Sequence, residues 1–194
     1  MIEVALLLSA LVQGGAEEPP PAAAAWRPFD YSFLEASYAH IDIDGESNAD
    51  GFAVNASLDV TENAFGYIGI LSTETGGSSD TDLDVLEFGL GMHTPLGDQF
   101  DFVGSAGALY AEPEALGLGD DEVGFRLRAG ARYHLSPRLE LDGGFGVVEL
   151  DDPETFFDAA LLFGLAGPLH LRAGMEFSED ATGLFLGLRL YPGH

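Results

Sequence analysis

Glu122-Val-Gly-Phe-Arg-Leu-Arg-Ala-Gly-Ala-Arg-Tyr-His-Leu135 decides the fold. In an extended chain successive side chains point to opposite faces. Val123, Phe125, Leu127, Ala129, Ala131, Tyr133 and Leu135 then share one face, while Glu122, Gly124, Arg126, Arg128, Gly130, Arg132 and His134 share the other. Residues 51–60 repeat the scheme, with Phe52, Val54, Ala56, Leu58 and Val60 against Ala53, Asn55, Ser57 and Asp59. Residues 169–178 do so again, with Leu169, Leu171, Ala173, Met175 and Phe177 against His170, Arg172, Gly174 and Glu176.

Extended outward, the same period predicts strands over 31–42, 51–60, 64–73, 82–93, 99–111, 122–135, 139–150, 156–166, 169–178 and 183–191. The first, third and eighth alternate less cleanly. Short links such as Thr61-Glu62-Asn63, Ser136-Pro137-Arg138 and Gly167-Pro168 take turns with links crowded with Asp and Glu. Short turns at one end, longer loops at the other and dyad alternation characterise a transmembrane β-barrel. The expectation is an all-β, antiparallel up-and-down barrel of ten strands, with eight the main alternative. An even count returns the chain to its starting side. A soluble β-sandwich also alternates, but its strands are usually shorter.

Composition narrows function by exclusion. The 194 residues hold 33 acids against seven Arg and no Lys, a net charge of −26. Nucleic acid is an unsuitable partner for such a chain, because phosphates demand cations. There is no Cys, hence no disulfide, thiol chemistry or N-terminal lipid anchor. No apolar run reaches the roughly 18 residues of a spanning helix. The run Val4–Val12 is the size of a secretory signal core, and Gly14 and Ala16 suit a cleavage site. Residues 1–16 are therefore expected to be a cleaved signal peptide, with a short buried or peripheral helix as the alternative. Met1-Ile2-Glu3 places an acid where a cation is usual. Residues 17–28, rich in Pro and Ala, are expected to form a periplasmic linker, and 29–191 the barrel. Trp26, Phe29 and Tyr31 suit a membrane-interface cluster, or a plain hydrophobic latch.

The polar face carries the candidate site. A hairpin around Ser136-Pro137-Arg138 that pairs Leu135 with Leu139 sets Arg132 opposite Asp142 and His134 opposite Glu140. A slip of one residue would put Arg in lipid, at a cost of about 2–4 kcal/mol at the midplane. The expected lumen charge network is Arg126, Arg128, Arg132, His134, Glu140, Asp142, Arg172, Glu176 and Arg189. Glu35, Asp59, Glu87 and Asp101 are further candidate partners for the cations. Paired charges avoid the cost of a buried lone ion. Such an interior either seals and braces the barrel or lines an ion path.

The long links hold Asp42, Asp44, Glu46 and Asp50, then Glu74, Asp80, Asp82 and Asp84. Later links hold Glu112, Glu114, Asp120, Asp121 and Glu122, then Glu149, Asp151, Asp152 and Glu154, and last Glu179 and Asp180. Hard divalent cations prefer oxygen ligands, so such ions could join these loops to lipopolysaccharide. Asp42-Ile-Asp44-Gly-Glu46 lacks the rest of an EF-hand, and no metal site or cofactor is assigned. His40, near Asp42, is the one His expected close to the loop rim. His93, His134 and His170 fall beside short turns, so no Ser-His-Asp set assembles there and no enzyme is expected.

The chain resembles the small, porin-like outer-membrane β-barrel proteins of Gram-negative bacteria. The likeness rests on Tyr31-Ser-Phe-Leu-Glu-Ala-Ser-Tyr38, Gly51-Phe-Ala-Val-Asn-Ala-Ser-Leu58 and Leu135-Ser-Pro-Arg-Leu-Glu-Leu141, within patterning over 29–191. It implies an outer-membrane address and insertion by the barrel-assembly machinery. Such proteins often end on an aromatic residue, whereas here Pro192-Gly193-His194 follow Tyr191. Members serve as structural, adhesive or minor pore proteins. The expectation is a monomeric, non-enzymatic barrel with acidic loops and a charge-paired lumen, contributing to envelope integrity or surface interaction. Outer-membrane lipid and lipopolysaccharide are its expected partners. A narrow channel for ions or small solutes is the main alternative; a lipid-modifying enzyme and a soluble periplasmic β-protein rank lower.

Overall fold

The computed structural model describes residues 28–43, 48–75, 81–113, 122–150 and 153–192. Among the described residues the regular elements are ten strands: β1 (Phe33–Ile43), β2 (Ala49–Thr61), β3 (Ala64–Thr75), β4 (Thr81–Pro95), β5 (Phe100–Pro113), β6 (Glu122–Ser136), β7 (Leu139–Glu149), β8 (Pro153–Ala166), β9 (Leu169–Phe177) and β10 (Ala181–Leu190). Each pairs antiparallel with its sequence neighbours. β1 closes on β10 through a register running from Leu34 opposite Leu190 to Ile43 opposite Ala181. The sheet is therefore a closed up-and-down barrel with no free edge. Closure is what lets a sheet cross hydrocarbon, where an unpaired backbone group has no water to turn to.

The outward face is continuous apolar surface. Phe52, Leu90 and Val123 are 68%, 70% and 72% exposed, and Phe125, Leu127, Phe157, Leu161, Leu184, Leu186 and Leu188 extend the band. In water so large an exposed patch would drive aggregation. In a bilayer it faces lipid tails.

The short-turn end departs from the expected register. Ser136, not Leu135, stands opposite Leu139, because the register shifts between His134 and Ser136. The extra residue is absorbed beside the turn, so Arg132 still faces Asp142 and His134 still faces Glu140. Similar shifts occur between Asp59 and Thr61 and between Gly164 and Ala166. Gly97 (φ 87°) and Gly167 (φ 54°) complete turns at the same end, in a conformation that costs little without a Cβ.

The lumen face is not uniformly polar. Phe65, Val103, Leu109, Phe156 and Leu162 are buried there. Large apolar side chains on the inner face explain the blurred alternation of β3 and β8. Tyr31 follows the second of the two expectations, a hydrophobic latch. It precedes β1 and is 3% exposed, stacked on Phe65 and His93 rather than lying at a lipid interface. Residues 1–27, including Trp26, lie outside the described residues, as do Asp44, Glu46, Asp80, Glu114, Asp120, Asp121, Asp151 and Asp152.

Candidate functional site

The site is the lumen itself, built in layers from the short-turn end. In the lowest layer the segment 29–31 enters the barrel mouth. The Phe29 ring stacks on His134 at 4.0 Å, nearly parallel, and Tyr31 stacks on His93 at 4.1 Å. The Tyr31 hydroxyl donates to Asp101 Oδ2 at 2.9 Å, and His93 Nδ1 contacts the same oxygen at 2.9 Å. Burial pushes the Tyr31 phenol well above its ordinary range, and the Asp101 carboxylate adds to the shift, so the group stays a donor.

Arg132 ties this layer together. Its Nε donates to Glu140 Oε1 at 2.6 Å, Nη1 to the Asp30 carbonyl at 2.9 Å and Nη2 to the Tyr191 hydroxyl at 3.1 Å. The same guanidinium sits 5.0 Å from the Phe29 ring centre and 4.7 Å from that of Tyr31, a cation–π arrangement strengthened by the lack of water. Leu162 and Tyr191 fill the remaining space at 1% and 4% exposure.

The middle layer is cross-braced. Arg128 on β6 donates from Nε to Asp158 on β8 at 2.5 Å and from Nη2 to Asp142 on β7 at 2.8 Å. Arg126 pairs with Glu176 on β9, and its guanidinium lies 3.8 Å from the Phe156 ring centre. Arg189 on β10 holds Glu35 on β1 at 2.7 Å, and Arg172 on β9 approaches the same carboxylate at 3.4 Å. The Arg172 Nε makes no hydrogen bond there. Several of these links skip a strand, so they brace the wall across the lumen rather than along one ladder.

The lumen network drawn from the sequence is thus placed as follows. Arg126 and Glu176 meet, as do Arg132 and Glu140; Asp142 meets Arg128; Arg172 and Arg189 converge on Glu35; His134 stacks on Phe29. Glu87 accepts from the Tyr67 hydroxyl at 2.9 Å, and Asp59 is an exposed partner of Ser32. Sequence reasoning missed Asp158, and it singled out Phe29 and Tyr31 as an interface cluster or a latch without placing them against His134 and His93. Asp158 lies among Phe156, Ala160 and Leu162 on the inner face of β8. That face carries no polar stripe to mark it. Of the charges in these two layers, Arg126, Arg128, Arg132, Arg172 and Arg189 stand against Glu35, Glu87, Asp101, Glu140, Asp142, Asp158 and Glu176. That is five guanidiniums against seven carboxylates, an excess of two carboxylates.

A cavity of about 340 Å³ lies among these braces, lined by Tyr31, Arg128 and Ser105 and reaching Leu71, Val85 and Leu109. A separate cleft at the short-turn mouth is lined by Phe29, Asp59, Thr61, Glu62 and His93. Near the loop rim, Tyr38 donates to Asp50 at 2.5 Å and His40 Nδ1 lies 2.7 Å from the same Oδ1. The Tyr38 ring packs edge-on against outward-facing Phe52, so this group is on the barrel's outer side, away from the cavity. Asp42 is exposed in β1 rather than a partner of His40. Among the described residues, no group of three or more His, Asp or Glu is placed to hold a metal ion.

Residues 4–166 match the family described as Outer membrane protein beta-barrel domain. No curated protein matches the sequence. Among solved structures, the KdgM porin in complex with disordered oligogalacturonate superposes with a TM-score of 0.51 at 8% identity, covering 80% of this chain and 98% of that one. An outer membrane channel from Pseudomonas putida F1 gives 0.49 at 10% identity, covering 89% and 99%. Ail, the attachment invasion locus protein of Yersinia pestis, gives 0.40 at 13% identity, covering 84% and 100%. At such identities the likeness to KdgM speaks for the fold alone.

Proposed function

The chain belongs to the outer membrane protein beta-barrel domain family, and from that premise we propose that it is a closed, non-enzymatic barrel of the outer membrane that contributes to envelope integrity or surface interaction. One observation carries this reading: the lumen is spanned by ion pairs that link β6 to β8 and β9, and β9 to β1, above a packed aromatic layer. Side chains that fill the short-turn end of a small barrel close it to through-flow. Exposed acids at the strand ends, including Asp42, Asp50, Glu74 and Asp84, would face lipopolysaccharide, with divalent cations bridging like charges. Export through a cleaved signal peptide and delivery by the barrel-assembly machinery complete the proposal, with a monomer as the working form.

Planar-bilayer recording of the purified barrel tests it. The expected result is electrical silence. A deletion strain should admit detergents and large apolar antibiotics more readily than its parent. A stable unit conductance in the unaltered protein would overturn the closed-barrel reading. The second reading is a narrow channel for ions or small solutes, favoured by the cavity of about 340 Å³, which has room for about ten waters. A conductance altered by Arg132→Ala would carry that reading.

A further inference from the structure

The cavity and the mouth cleft share no lining residue. Tyr31 lines the first and Phe29 the second. The partition is the segment 29–31 with the two imidazoles on which it stacks. This segment belongs to no strand. Its hold on the barrel runs through side chains: Tyr31 to Asp101, Arg132 to the Asp30 carbonyl, and Ser32 to Asp59. By contrast each wall strand is fixed by two ladders of backbone hydrogen bonds. A part held by side-chain contacts opens at lower free energy than one held in a ladder.

We propose that Phe29-Asp30-Tyr31 is a removable stopper, and that withdrawing it joins cavity to cleft and opens a cation-selective path through the lumen. The selectivity follows from the excess of two carboxylates over guanidiniums in the two layers that such a path would cross. Low-dielectric walls focus that field. The stopper also contributes nothing to the lipid-facing surface, so its loss leaves the wall intact. This inference rests on the closed-barrel reading, and the test separates the two.

The double variant Phe29→Ala/Tyr31→Ala and the milder Tyr31→Ala are purified beside the unaltered full chain. Folding of each is checked by heat-modifiable migration, and each is recorded in planar bilayers under a KCl gradient. The expected result is silence from the unaltered protein and discrete openings from the variants, with a reversal potential favouring K⁺ over Cl⁻. Folded but silent variants would overturn the stopper and leave the closed barrel standing. Openings that favour Cl⁻ would overturn the charge argument. If neither variant folds, the segment is a structural part of the wall and the proposal falls. Equal conductance from all three proteins would remove the closed-barrel reading itself.

Discussion

Arg132 has lost almost all contact with water, at 3% exposure, and its charge is met by Glu140, a carbonyl, a phenol and two ring faces. Removing one partner of such a pair leaves the other charge buried and uncompensated. Arg132→Ala is therefore expected to destabilise the barrel by about 3–5 kcal/mol. The exposed turn residue Arg138 should tolerate the same change within about 0.5 kcal/mol. Denaturant unfolding of both variants in lipid vesicles, followed by far-ultraviolet circular dichroism, measures the difference. At this scale the sequence was legible where charge alternates with grease. Arg126, Arg128 and Arg132 stand out because lipid forbids them the other face. Tyr31 was not legible: the period sets it at the start of the first strand, whereas β1 begins at Phe33, and an aromatic ring at a strand end suits an interface and a lumen equally well. Asp158 was hidden by its apolar neighbours, and only the partner across the barrel reveals it.

Strands are where period two becomes architecture. On β6 the outward residues pass from the loop rim at Val123 toward mid-strand at Leu127. Depth therefore sets the cost of a charge. Leu127→Arg should destabilise by about 2–4 kcal/mol and Val123→Arg by about 0–1 kcal/mol, read from unfolding midpoints in lipid. Equal costs at the two positions would contradict the membrane orientation. Gly146 on β7 tests the inner face. A Cβ there would meet the Leu127 carbonyl on one side and the Phe156 ring at 2.7 Å on the other. Gly146→Val should separate β6 from β7 and lower the temperature at which the folded gel band is lost. The strand count and the turns were readable from the period-two pattern and the links that interrupt it, whereas the register shift near Ser136 was not. A bulge changes which residues face each other without changing which residue types alternate.

At the level of the whole molecule, the net charge of −26 meets a lumen in which most cations are already paired. The surplus is carried mainly on the loops and rims, where carboxylates repel one another. Added salt shortens the range of that repulsion, from about 30 Å at 0.01 M to about 10 Å at 0.1 M. Buried pairs are screened far less. The unfolding midpoint in neutral lipid should accordingly rise with NaCl over this range. A fall would mean that screening of the internal pairs outweighs relief at the rim.

Glu35 sits near the start of the barrel, and its counter-charges, Arg172 and Arg189, arrive with the last two strands. Through nearly all of synthesis that carboxylate has no cation to neutralise it. A truncated copy lacking the final hairpin would carry a bare anion facing a gap in its wall. The join between first and last strands therefore works as a completeness check: electrostatics penalises an unfinished chain, and only a full-length one closes without a stranded charge.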